Sequence, residues 1–338
     1  MSKLFDSLSH KRARPLPVPV KLVSFLCGIA LLSASALAVA APFAYVPNQK
    51  SGSISVIDTA SDQVVRTLTG DHQLGDRVQA VDIDKSGDTL YVVDAQHNKL
   101  FAIDPATDAV RRSVAIGPEV EGVRLSPSGK TLAVCAEGQN KVLLVDAASF
   151  KIEARIPVKG NNPEHCEFTA DGKWLLTSNE VSNNLDVINV AKRESVGVIP
   201  TSGHPRGAAF IPGTSHLYVA QESANAVDVI DFAARKKIAT IPTALRAAGV
   251  TVSKDGKRVY VANGGAGTVS VINVASRKVI ASIPVGKRPW NMALTPDGTK
   301  LYVANGRSNS VSVIDTRTLK VTKEIPVGEL PWGVVIGR

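Results

Sequence analysis

The chain has 338 residues, of which 44% are hydrophobic and 20% charged, with 26 Gly and 19 Pro. This is the composition of a turn-rich globular protein, and it excludes a disordered chain. Five basic side chains and one acidic one fall in the first 41 residues, so the formal charge of +9 drops to +5 on the remainder, short of a nucleic-acid signature.

The N-terminus reads as a secretory signal. Lys3, Lys11, Arg12, Arg14 and Lys21 form a basic region, an apolar run extends from Leu22 to about Val39, and Ala38-Val39-Ala40 supplies small residues for cleavage. An uncleaved anchor is the rival, since about 18 apolar residues span a bilayer. The small-residue exit and the strand pattern that starts at Phe43 favour cleavage. The expectation is therefore a signal peptide over 1–40 and a single domain over 41–338, periplasmic or secreted, with no membrane span after cleavage. Only Cys135 and Cys166 remain in that domain. They would form one disulfide or, the preferred reading, stay as two small buried thiols.

Beyond Phe43 the chain repeats. Tyr-Val-Ala-Asn occurs at Tyr260–Asn263 and Tyr302–Asn305, with looser copies starting at Tyr45, Tyr91, Ala133, Leu176 and Tyr218. The spacing is about 42 residues, stretched once by a loop near Asp71–Leu74. Each unit reads as four short strands, shown best by Trp290–Leu294, Lys300–Ala304, Val311–Ile314 and Val321–Ile325. Asp58, Asp104, Asp146, Asn189, Asp231, Asn273 and Asp315 end the third strands, where an Asx side chain binds amides of the following turn. The first unit lacks its first strand, and Leu330–Ile336 is a first strand with nothing after it. The expected fold is all-β: a seven-bladed propeller of four-stranded antiparallel blades, its ring closed by the C-terminal strand pairing into the N-terminal blade.

The Tyr-Val-Ala-Asn anchors, Val311–Asp315, and the Ile-Pro-Val-Gly closings at Ile283–Gly286 and Ile325–Gly328 resemble the YVTN-repeat β-propeller family. Pro331–Val335 is also similar to a subgroup of periplasmic propellers associated with pyrroloquinoline-quinone-dependent alcohol catabolism. The resemblance implies the fold, and its residues are structural. With three Trp in the chain, the tryptophan repeat of true quinoprotein dehydrogenases is missing, and neither a Cys-x-x-Cys-His nor a Gly-x-Ser-x-Gly occurs. No cofactor is expected.

Function must lie in what differs between units. Two rings of positions start the first strands. One holds Arg77, Glu119, Asn162, His204, Arg246, Arg288 and Leu330; the other holds Gln79, Glu121, Glu164, Arg206, Ala248, Trp290 and Trp332. Together with His165 they predict a channel mouth where Arg206, Arg246, Arg288, His204, Trp290 and Trp332 meet an anionic or aromatic partner, faced by Glu121 and Glu164. Glu164-His165-Cys166-Glu167 is not expected to hold a metal, because strand alternation sends His165 and Glu167 one way and Glu164 and Cys166 the other. Three readings follow. The first is a non-enzymatic binding or scaffold propeller for a protein partner or small ligand. The second is a lactonase-like hydrolase or lyase, an activity that related propellers host, which would use Glu121, Glu164, His165 and His204 as acid–base groups with or without a divalent ion. The third is nucleic-acid binding through Arg206, Arg246, Arg288 and the tryptophans.

Overall fold

The computed structural model describes residues 42–337, so the expected signal peptide lies outside the described residues. Seven four-stranded antiparallel sheets follow one another around a ring. Strands run in chain order from β1 (Phe43–Asn48) to β28 (Val335–Gly337), with one 3₁₀ turn at Glu137–Gln139. Among the described residues no helix is long and apolar enough to cross a membrane.

The ring closes as its ends require. β28 pairs antiparallel with β1, Phe43 opposite Gly337 and Tyr45 opposite Val335. Upstream, the Trp332 amide donates to the Pro47 carbonyl at 2.9 Å, and that of Gln49 to Leu330 at 2.9 Å. Blade one thus joins the last strand to the first three and is completed to four strands like the other six.

Seven hydrophobic clusters hold the ring, each shared by two neighbouring blades. The repeat tyrosines Tyr45, Tyr218, Tyr260 and Tyr302 are fully buried in them. The third-strand Asx residues cap turns: Asp58 accepts from the Ala60 amide at 3.1 Å and Asp315 from Arg317 at 3.0 Å.

Two expectations are corrected. Cys135, on β9 (Thr131–Ala136) of blade three, is bonded to Cys166, on β12 (Pro163–Phe168) of blade four, with Cα atoms 6.3 Å apart. The preferred reading of two thiols fails because the innermost strand of one blade packs against the second strand of the last, within disulfide reach. Simple alternation also fails at Glu164 and His165. β12 shifts register between Pro163 and His165, and a bulge re-aims side chains, so both residues turn toward one network.

Candidate functional site

The mouth is built by one device used repeatedly. Six of the seven rim residues, Glu119, Asn162, His204, Arg246, Arg288 and Leu330, have a left-handed backbone. An Asn from the preceding blade's hairpin turn clamps several of them: Asn183 Oδ1 accepts the His204 amide at 2.6 Å, and Asn225 that of Arg246 at 2.7 Å. The rim carbonyl then accepts from the residue that follows the blade's second strand, as Glu222 N donates to His204 O at 2.9 Å. In blade three the Glu119 carbonyl accepts instead from Gly138, one residue past Glu137, while in blades four to seven the rim residue is held against that following residue, in turn Glu180, Glu222, Gly264 and Gly306.

Those glycines are cradles. A Cβ on Gly306 would come within 2.8 Å of the Trp290 ring, and one on Gly264 within 3.3 Å of Arg288. Arg288 lies over the Trp290 ring at 5.8 Å and reaches Glu222 Oε1 at 3.1 Å. Trp290 meets Trp332 with ring centres 5.5 Å apart, and Trp332 meets His165 at 5.7 Å. His165 Nδ1 stands 3.5 Å from Glu164 Oε1, and Glu164 Oε2 is 2.7 Å from Arg206 Nη1. Arg206 Nη1 also contacts Glu180 and lies 3.7 Å from Glu222 Oε2.

Eight of the nine expected site residues therefore join one contact network: Trp290, Trp332, Arg288, Arg246, Arg206, His204, His165 and Glu164. Glu121 stands apart, accepting from Gln79 Nε2 at 2.7 Å. Each arginine is already engaged. Arg246 Nε donates to Glu222 Oε1 at 2.7 Å, so both Arg246 and Arg288 spend themselves on one carboxylate. Burial pushes Glu121 and Glu137 above the usual carboxylate range. Glu222 is likewise raised by burial, but Arg206, Arg246 and Arg288 together pull it below that range. His165 is held down to about 3, by burial and then by Arg206, so its ring is neutral. The Glu180 bond raises His204. Glu137, Glu180 and Glu222 were missed by sequence reasoning. The signal was the residue after each Tyr-Val-Ala-Asn copy, acidic in three successive blades.

Behind this mouth lies a cavity of about 1330 Å³ along the inner strands. Gln79, Glu121, His165 and Trp332 bound its near end, and it reaches the far face at Lys85, Pro127, Asp171, Pro212 and Pro296. Its walls differ. Asp82 on β4 (Val78–Ile83), Arg124 on β8 (Val120–Leu125) and Glu167 on β12 line one side, where Arg124 Nη2 pairs with Glu167 Oε2 at 3.0 Å. The equivalent positions opposite are Ala209, Thr251, Ala293 and Val335. Burial raises Asp82 and Glu167, while Glu167 raises Arg124. The Arg124 side chain is 45% exposed, and its Nη2–Glu167 pair is the single ion pair it makes among the described residues.

The fold and its channel define a seven-bladed propeller with a side-chain-filled mouth and an internal chamber. The family model described as Lactonase, 7-bladed beta-propeller matches residues 116–198 and 189–330, so the chain belongs to that family. No curated protein matches its sequence. Among solved structures it is similar to hydrazine synthase of Kuenenia stuttgartiensis, at 22% identity and TM-score 0.69, covering 76% of this chain and 94% of that one. A functionally unknown protein from Desulfotomaculum acetoxidans aligns at 18% identity and TM-score 0.76, over 88% and 99%. The dihydro-heme d1 dehydrogenase NirN aligns at 14% identity and TM-score 0.66, over 87% and 74%. At these identities the likeness is one of fold.

Proposed function

We propose that this is an exported, periplasmic, non-enzymatic binding propeller whose channel chamber takes a small, neutral, oxygen-rich molecule, such as a polyol, sugar or lactone. The observation that carries this reading is the pairing of the Asp82–Arg124–Glu167 wall with a wall of uncharged, mostly apolar side chains across a cavity of about 1330 Å³. Arg124 offers donors, and the carboxylates accept from hydroxyls. Two carboxylates around one guanidinium disfavour an anion. A rigid chamber keeps the ordering cost of binding low. The YVTN-type repeat fits this role, since it contributes architecture alone.

The same electrostatics count against nucleic acid. The arginines expected to meet phosphates are tied to Glu164, Glu180 and Glu222. A second reading, hydrolysis of a lactone, is favoured by the name of the matched family. A thermal-shift panel of sugars, polyols and lactones, with a pH-stat record of acid release from each lactone, separates the readings. Stabilisation without turnover supports binding; turnover supports hydrolysis. No stabilisation by any neutral compound removes the chamber reading.

A further inference from the structure

We propose that the mouth also holds a divalent transition-metal ion, ligated by His204 Nε2, Glu180 Oε2 and Glu222 Oε2. This site is separate from the chamber and does not depend on its reading, since none of the three residues lines that cavity.

The three donor atoms lie within 4.8 Å of one another, with His204 Nε2 at 3.1 Å from Glu180 Oε2 and 3.6 Å from Glu222 Oε2. Metal bonds of about 2.0–2.2 Å put neighbouring ligand atoms roughly 3 Å apart, so two edges of a coordination polyhedron are nearly in place. One imidazole with two carboxylates suits Zn²⁺, Mn²⁺ or Co²⁺ better than Ca²⁺ or Mg²⁺, which prefer all-oxygen shells.

The outer contacts orient these ligands. Arg246 and Arg288 both bind Glu222 Oε1, which leaves Oε2 to face His204. Arg206 takes Glu180 Oε1, leaving its Oε2 toward the same imidazole. Such partners fix a carboxylate's aim before the ion arrives. The His204 side chain is 36% exposed, which gives an ion and its remaining water ligands a way in from the rim.

A second observation points to a missing positive charge. Glu164 is 1% exposed and neither of its carboxylate oxygens makes a hydrogen bond. It shares Arg206 Nη1 with Glu180 and Glu222, while Arg206 Nε is buried without a partner. With Glu222 held by Arg246 and Arg288, one guanidinium is left for Glu164 and Glu180 out of bulk water. A dication on Glu180 and Glu222 would release Arg206 to Glu164.

The test titrates chelator-stripped mature protein with Zn²⁺ and with Mn²⁺ by calorimetry, counting bound metal by elemental analysis, beside Glu222→Gln and His204→Asn. Gln keeps the size of Glu, and Asn tolerates the left-handed backbone at 204. The expected result is one ion per wild-type chain and affinity at least about tenfold weaker in each variant. As a measurement on wild type alone, Zn²⁺ should protect His204 from diethyl pyrocarbonate, read by peptide mass. No uptake by wild type, equal uptake by the variants, or unprotected His204 would overturn the site.

Discussion

His165 and Trp332 come from blade four and from the closing segment of blade one, yet their rings are 5.7 Å apart across the channel. In a ring of seven these blades stand as far apart as any two. Their contact bridges the near end of the cavity that both line. It also takes most of the His165 side chain out of water, leaving it 19% exposed.

That burial has a pH consequence. His165 titrates at about 3 in the folded chain against roughly 6.5 unfolded, so the unfolded state takes up the proton first as pH falls. The stabilisation is complete above pH 6.5 and is lost progressively from there towards pH 3. Urea midpoints of wild type and His165→Gln, measured from pH 8 to pH 5, should converge or cross as wild type loses more. Parallel curves would contradict the buried neutral imidazole.

Arg206 is the hub for Glu164, Glu180 and Glu222. Arg206→Met takes the one guanidinium from the buried Glu164 and should cost about 3–5 kcal/mol by urea denaturation. The loss should shrink as pH falls, because Arg206 is the strongest influence lowering Glu222, and without it that carboxylate takes up its proton earlier. A variant as stable as wild type at pH 7 would show the cluster to be well solvated.

The Cys135–Cys166 bond joins two blades across 31 residues. Closing a loop of that length is worth about 3–4 kcal/mol in the chain-entropy account. Cys135→Ala/Cys166→Ala should lower the urea midpoint accordingly, and mass spectrometry of the oxidised wild type should show no free thiol in the mature chain. Equal midpoints would mean that the interblade packing alone holds β9 and β12.

Deleting Leu330 onward removes Trp332, Val334 and the partner of β1. The open ring should lose its cooperative unfolding transition, as followed by circular dichroism. A sharp transition near the wild-type midpoint would show that closure is dispensable.

The repeat was legible because every unit must bury the same face and cap the same turn, which prints Tyr-Val-Ala-Asn or a looser copy of it, and a third-strand Asx residue, seven times over. Closure was legible from the orphan strand at the end. The mouth was legible in part. Arg288 and Trp290 stand out by differing from their equivalents, but the groups they touch come from another position in the repeat, as Glu222 and Gly306 do. The chamber trio of Asp82, Arg124 and Glu167 sits three residues beyond the mouth ring, where a charge reads as a solvated strand end. Bulges in the inner strands broke the alternation that would have separated Glu164 from His165. The disulfide needed the distance between two blades, which the order of residues does not carry.

The chamber is tested most directly by calorimetry, using the neutral compound that stabilises the protein most, on wild type, Arg124→Met and Trp290→Ala. The account predicts binding to wild type, unchanged binding to Trp290→Ala at the filled mouth, and loss of at least about tenfold in affinity for Arg124→Met, which removes the chamber's donor. Equal binding by Arg124→Met would contradict it.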